Sequence, residues 1–175
     1  MRYQTARRRA VVAVMAFALA SVGCSSTESS DPLAVELTHP QGRGTIVFAA
    51  TGPAADEGII CTAGSMSVDR LESMDGVEIS DDDWADMFDD AMASESIAEQ
   101  NVYQTWTCDE DAGSFTLRHH NRIDFANFEF EGRQDVGSWE ITEGTDTMEG
   151  LTGSGDVILD WDAEAVVHSG EVAPG

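Results

Sequence analysis

Ser114-Phe115-Thr116-Leu117-Arg118-His119-His120-Asn121-Arg122-Ile123-Asp124-Phe125 is the stretch on which the fold turns. Its odd positions, Phe115, Leu117, His119, Asn121, Ile123 and Phe125, form a face that is apolar at both ends and polar in the middle. Its even positions, Thr116, Arg118, His120, Arg122 and Asp124, are what a water-facing side carries. Side chains of an extended chain alternate with a period of two, so the pattern predicts a strand with one buried side. Its backbone amides and carbonyls then require neighbouring strands of similar alternation.

Such neighbours occur on both sides. Runs rich in β-branched and aromatic residues, punctuated by glycine, lie at Thr45 to Ala50, Ile59 to Ala63, Ser65 to Leu71, Val102 to Cys108, Asn127 to Gln134, Ser138 to Thr142, Ser154 to Trp161 and Ala165 to Glu171. Roughly eight or nine strands in series predict an all-β fold, an eight-stranded antiparallel up-and-down barrel.

One segment breaks the pattern. Ser80 is placed to cap a helix whose first turn holds Asp81, Asp82 and Asp83, carboxylates favoured at the positive end of the helix dipole. Trp84, Met87, Phe88, Ala91 and Met92 then recur three and four apart, which predicts a helix near 81–93 with one apolar stripe. The stripe either plugs the core or, with Trp84, Met87, Phe88 and Met92, closes one mouth of the barrel as a lid. The acidic opposite face, with Asp86, Asp89 and Asp90, reads as solvated, because consecutive helical carboxylates diverge instead of converging on a metal ion.

Three segments taken together resemble a known family. They are Gly44-Thr45 to Thr51-Gly52 followed by Asp56-Glu57-Gly58-Ile59-Ile60-Cys61; Thr107-Cys108 through Gly113-Ser114-Phe115-Thr116-Leu117-Arg118; and Gly137-Ser138-Trp139-Glu140-Ile141 through Gly144-Thr145 to Gly150-Leu151-Thr152-Gly153-Ser154-Gly155. In order, they resemble the bacterial allene oxide cyclase barrel-like proteins, small secreted barrels related in fold to plant allene oxide cyclases and dirigent proteins. Asp146 and Met148 stand where that pattern has glycine and tyrosine. The resemblance implies an eight-stranded antiparallel barrel from Gly44 to Val172, with the stretch of about 72–100 as an insertion. Its glycines suit the narrow rim between strands and not a phosphate loop, which needs a helix after it.

The N-terminus carries a different message. Arg2, Arg7, Arg8 and Arg9 precede an apolar run from Ala10 to Val22, too short for the roughly 20 residues of a membrane-spanning helix. Ser21-Val22-Gly23-Cys24 resembles a lipobox, in which the cysteine thiol is acylated and becomes the mature N-terminus. The expected organisation is therefore a signal peptide over 1–23, a lipidated Cys24 with a flexible tether over 24–43, and a barrel domain over 44–175. Ala18-Leu19-Ala20 offers ordinary cleavage and free secretion as the alternative, and Arg8-Arg9 permits either general or twin-arginine export. The expected location is outside the cytoplasm, held to the cell membrane by lipid alone.

In that compartment Cys61 and Cys108 are expected to form a disulfide, stabilising the fold by about 4 kcal/mol in the chain-entropy treatment. The full chain carries 33 acidic residues and a formal charge of −24. Beyond position 23 only five arginines and no lysine oppose those acids, leaving −28 (5 minus 33). This surface repels nucleic acid and anionic headgroups. Molar salt screens its self-repulsion, so a salty habitat is expected, with plain solubility as the alternative.

Chemistry is sparsely marked. With the odd face of 114–125 inward, His119 and Asn121 project side by side into the barrel and are the candidate ligand contacts, unless they satisfy one another, a backbone group or a trapped water. His39, His120 and His168 read as surface residues. No nucleophile with a base at readable spacing and no metal-ligand motif occurs, so no catalytic residue, metal or cofactor is expected. Three functions follow: a barrel that binds a small apolar ligand, an interaction or structural platform of the cell envelope with a filled barrel, or an enzyme on an unsaturated lipid or phenolic substrate, the last by fold analogy alone.

Overall fold

The computed structural model describes residues 31–42, 44–126, 129 and 131–175. The expected signal peptide, Cys24 and the first part of the expected tether lie outside the described residues. Among the described residues no helix is long and apolar enough to cross a membrane.

The chain runs through β1 (Leu33–Pro40), β2 (Ile46–Thr51), a single-turn helix α1 (Pro53–Asp56), β3 (Ala63–Glu72), the two-residue β4 (Glu78–Ile79), α2 (Asp81–Ala93), β5 (Ile97–Cys108), β6 (Ser114–Asp124), β7 (Gln134–Gly144), β8 (Thr152–Asp160) and β9 (Ala165–Ala173). Neighbours in the sheet are β2, β1, β9, β8, β7, β6, β5 and β3 in turn, and a β2–β3 pairing closes the ring. All of these pairings are antiparallel. The result is a closed eight-stranded barrel, which leaves few strand amides unpaired. β4 pairs with Leu71 and Glu72 at the far end of β3, beyond the reach of β2.

The alternation of residues 114–125 is realised as expected. Phe115, Leu117, His119 and Ile123 are buried, while Arg118 and Arg122 are exposed. On the outer wall Arg118 pairs with Glu140 at 2.6 Å and Arg122 with Glu99 at 2.9 Å, each directly across its strand boundary. Exposed pairs of this kind contribute about 0.2–1 kcal/mol each.

Four expectations are corrected. Leu33–Pro40, assigned to the tether, is a barrel strand: Val35, Leu37 and His39 alternate inward, and β1 bridges β2 and β9. Residues 59–63 form no strand before Ala63, because the chain turns through Gly58 at φ 73°. Ile60 nonetheless packs into the core at 1 % exposure, and Cys61 bonds to Cys108 across a Cα–Cα distance of 5.7 Å. Of the run 127–134, residues 127, 128 and 130 lie outside the described set, Glu131-Gly132 is a turn, and β7 begins only at Gln134. The insertion ends before residue 97, since β5 starts at Ile97 and pairs with β6 along its length.

The interior divides into two apolar groups. The larger fills one half of the barrel around Trp106, Phe115, Leu117 and Trp139. Trp139 fits because the positions opposite it lack side chains: a Cβ on Gly170 would stand 2.7 Å from Trp139 Cζ2 and 2.2 Å from the Ser154 carbonyl oxygen. The smaller group joins Ala91 of α2 to Ala98, Ile123 and Phe125, with Met87 and Phe88 packed on it. Helix α2 therefore sits over one end of the barrel. Ser80 Oγ accepts from the Asp83 amide at 3.1 Å, the expected cap, and Ser94 ends the helix.

Candidate functional site

Between the two apolar groups lies a cavity of about 310 Å³. Trp84 and Phe88 of α2 form part of its wall, with Met66, Val102, Ile123, Leu159 and Val166 from the strands. His39, Gln41, Gln104, His119 and Asn121 supply its polar groups. His119 and Asn121 thus meet at one cavity, His119 buried at 5 % exposure and Asn121 half-buried. Of the candidate lid residues, Trp84 and Phe88 line the cavity, Met87 packs on the small apolar group, and Met92 is exposed. A larger depression of about 610 Å³ lies on the outer wall, lined by Arg118, His120, Glu140 and Asp156 among others. It is separate from the barrel interior, and its charged lining suits water.

The polar groups belong to a cluster that extends inward. His168, expected on the surface, is fully buried at 0 % exposure, and His39 is buried at 4 %. Their strands explain the correction: Val166, His168, Gly170 and Val172 alternate inward on β9, as Val35, Leu37 and His39 do on β1. The His168 ring lies 5.3 Å from that of His119, 5.6 Å from that of His39 and 5.3 Å from that of Trp106, centroid to centroid. Three imidazoles therefore share the middle of the barrel. Among the described residues no group of three or more His, Cys, Asp and Glu side chains has a metal-holding arrangement.

Burial dominates their protonation. It lowers His119 to about 3, with the charges of His39 and His120 adding to the effect. His168 is pushed well below the usual imidazole range by burial first, then by His119 and His39. His39 is lowered by burial and partly restored by a hydrogen bond to the Pro40 carbonyl. All three are neutral at pH 7, and His119 is a weak base there, poorly matched to proton abstraction at neutral pH. His39 Nδ1 lies 2.8 Å from the Pro40 oxygen, and since a carbonyl only accepts, Nδ1 carries the proton and Nε2 presents a lone pair. His39 Nε2, Gln104 Oε1 and His119 Nδ1 are buried and have no hydrogen-bond partner among the described residues.

The wall beside α2 is held by a small polar network. Trp161 Nε1 donates to Asp135 Oδ2 at 2.7 Å, and Arg133 donates to both Asp135 oxygens, at 2.8 and 2.5 Å. The ion pair is largely buried, with side-chain exposures of 16 % and 9 %. Asp135→Ala removes the carboxylate that accepts from both Arg133 and Trp161 in this largely buried network; the expected loss is about 3 kcal/mol, read as a shift in the urea midpoint.

No family model, curated protein or solved structure matches the chain. What the molecule can do therefore rests on its own geometry: an apolar chamber, a helix across it, and neutral hydrogen-bonding groups at its inner end. Sequence alternation found His119 and Asn121. It passed over His39 and His168, which come together only through the pairing of β1 with β9.

Proposed function

We propose that this protein is an extracytoplasmic β-barrel, anchored by lipid on Cys24, that holds a small, largely apolar ligand in the chamber beneath α2. The observation that carries the reading is the cavity of about 310 Å³ reaching His119, at the lower edge of the 300–1,000 Å³ usual for small-molecule sites. An apolar lining with a few buried polar groups at one end is the ordinary composition of such sites. Kinship with the bacterial allene oxide cyclase barrel-like proteins belongs to the same proposal, supported by the three glycine-marked segments and the eight-stranded barrel. A surface of net charge −28 (5 minus 33) beyond position 23 speaks against nucleic acid and anionic membrane as partners.

Two measurements test the proposal. Native mass spectrometry of the protein isolated from its host in mild detergent is expected to show a retained small molecule; a bare polypeptide mass across independent preparations favours the filled platform instead. Cells fed an alkyne-tagged fatty acid are expected to label the wild-type chain and leave Cys24→Ser unlabelled, with the variant released from the membrane fraction. Equal labelling of both removes the anchor from the proposal.

A further inference from the structure

We infer that the ligand is short, a molecule of about twelve non-hydrogen atoms such as a chain of about eleven carbons with one polar atom, and not a long acyl chain. The inference rests on the ligand-binding reading and specifies the size class of its ligand.

The chamber has a closed floor. On four strands, drawn from two opposite sides of the barrel, the next inward position below a lining residue is a fully buried side chain. Leu37 lies below His39 on β1, His168 below Val166 on β9, Leu117 below His119 on β6 and Trp106 below Gln104 on β5, each at 0 % exposure. The Trp106 ring lies 5.5 Å from that of His39 and 5.3 Å from that of His168, centroid to centroid, so the two sides of the barrel meet there. The space therefore does not continue into the half filled by Phe115 and Trp139. The opposite end is crossed by α2. Trp84 and Phe88 line the chamber from that helix with ring centroids 5.2 Å apart, and Phe88 meets the Phe125 ring edge-on at 4.8 Å.

Volume then sets the size of the occupant. A dry cavity of about 150 Å³ takes up benzene, a ring of six carbons, so a chamber of about 310 Å³ holds about twelve non-hydrogen atoms. A longer chain finds no room below and passes out beside Val68, a lining residue 40 % exposed to water. Each methylene buried inside adds about fourfold to affinity, whereas those beyond that point stay hydrated and add nothing.

The test is a series of 1-alkanols from six to sixteen carbons, measured on the full-length protein by equilibrium dialysis with the same detergent on both sides of the membrane. Affinity is expected to rise about fourfold per carbon and to level off near about eleven carbons. Phe88→Leu, which shortens a roof side chain while keeping an apolar contact to Phe125, is expected to move the break outward by up to about three carbons. Val47→Ala, on the outer wall at 73 % exposure, is expected to leave the break in place. An affinity that keeps rising through sixteen carbons in the wild type overturns the size limit and leaves the chamber standing as a ligand site. A break unmoved by Phe88→Leu overturns the part given to α2 as the roof. If no alkanol binds saturably, the chamber is not a site for small apolar molecules, and both readings fall together.

Discussion

Lowering the pH from 7 to about 4.5 is expected to destabilise the folded barrel by about 2.5 kcal/mol through His119, with His168 acting in the same direction. In the unfolded chain each histidine titrates near 6.5. In the barrel His119 titrates at about 3 and His168 well below its usual range, for the shared reason that a charged ring would lose its water and face its neighbours' charges. Between those limits the unfolded state binds protons that the folded state refuses, so stability falls as pH falls. The contribution is fully present above about pH 6.5 and declines below it by about 1.4 kcal/mol per pH unit for each fully excluded proton. His119 over about two pH units gives the stated loss, a sizeable share of the 5–15 kcal/mol that holds a typical domain together, and His168 adds to it in the same direction.

The experiment is a series of urea titrations from pH 7.5 to 4.5. His119→Leu, which removes one of the two strongest contributors, is expected to flatten the slope by about 1.4 kcal/mol per pH unit below pH 6.5. The self-repulsion of so acidic a chain also changes as the pH falls. That background is common to wild type and variant, so the difference between the two curves isolates the ring. Superimposable curves would show that protons reach His119 in the folded barrel, contrary to its burial.

The barrel was legible because its long strands carry one-sided alternation. Residues 114–125 announce β6 by themselves, and 154–161 and 165–171 show β8 and β9 almost to their ends. The failures have local causes. β1 follows a polar segment, and its inward positions Val35, Leu37 and His39 are interleaved with Ala34, Glu36 and Thr38, too short a run to outweigh its flanks. β5 begins with Ile97-Ala98-Glu99-Gln100-Asn101, whose inward Ala98 and Gln100 look nothing like a core until the register with Ile123 and Asn121 is known. The candidate site shows the same limit. His119 stands out because its own strand is strongly patterned, whereas His39 and His168 become site residues only when barrel closure brings β1 beside β9 and pairs Leu37 with His168. Contacts made by closure are invisible in a list of segments.

Closure also governs the other large expected effect. Removing the Cys61–Cys108 disulfide by the double substitution Cys61→Ala, Cys108→Ala is expected to cost about 4 kcal/mol. The bond spans a sequence separation of 47 residues and ties the loop before β3 to the last residue of β5. That loop includes α1, whose Ala54 and Ala55 are buried, and Ile60 at 1 % exposure, so the covalent tie holds a plug of the large apolar group in place. Cys108 faces Gly64 across the β3–β5 boundary, where a Cβ on Gly64 would fall 2.1 Å from the Thr107 carbonyl oxygen. The backbones there are in close approach whether or not the sulfurs are joined, so the barrel strands themselves are expected to persist in the variant. The far-ultraviolet circular dichroism of the double variant should therefore match wild type at 15 °C, while its urea midpoint falls and the α1 loop becomes the first site of limited proteolysis. A midpoint shift below about 1 kcal/mol would mean that the packing of Ile60 and α1 already restricts the unfolded chain's ends as well as the bond does, and that the disulfide adds little to a barrel closed by β2 and β3.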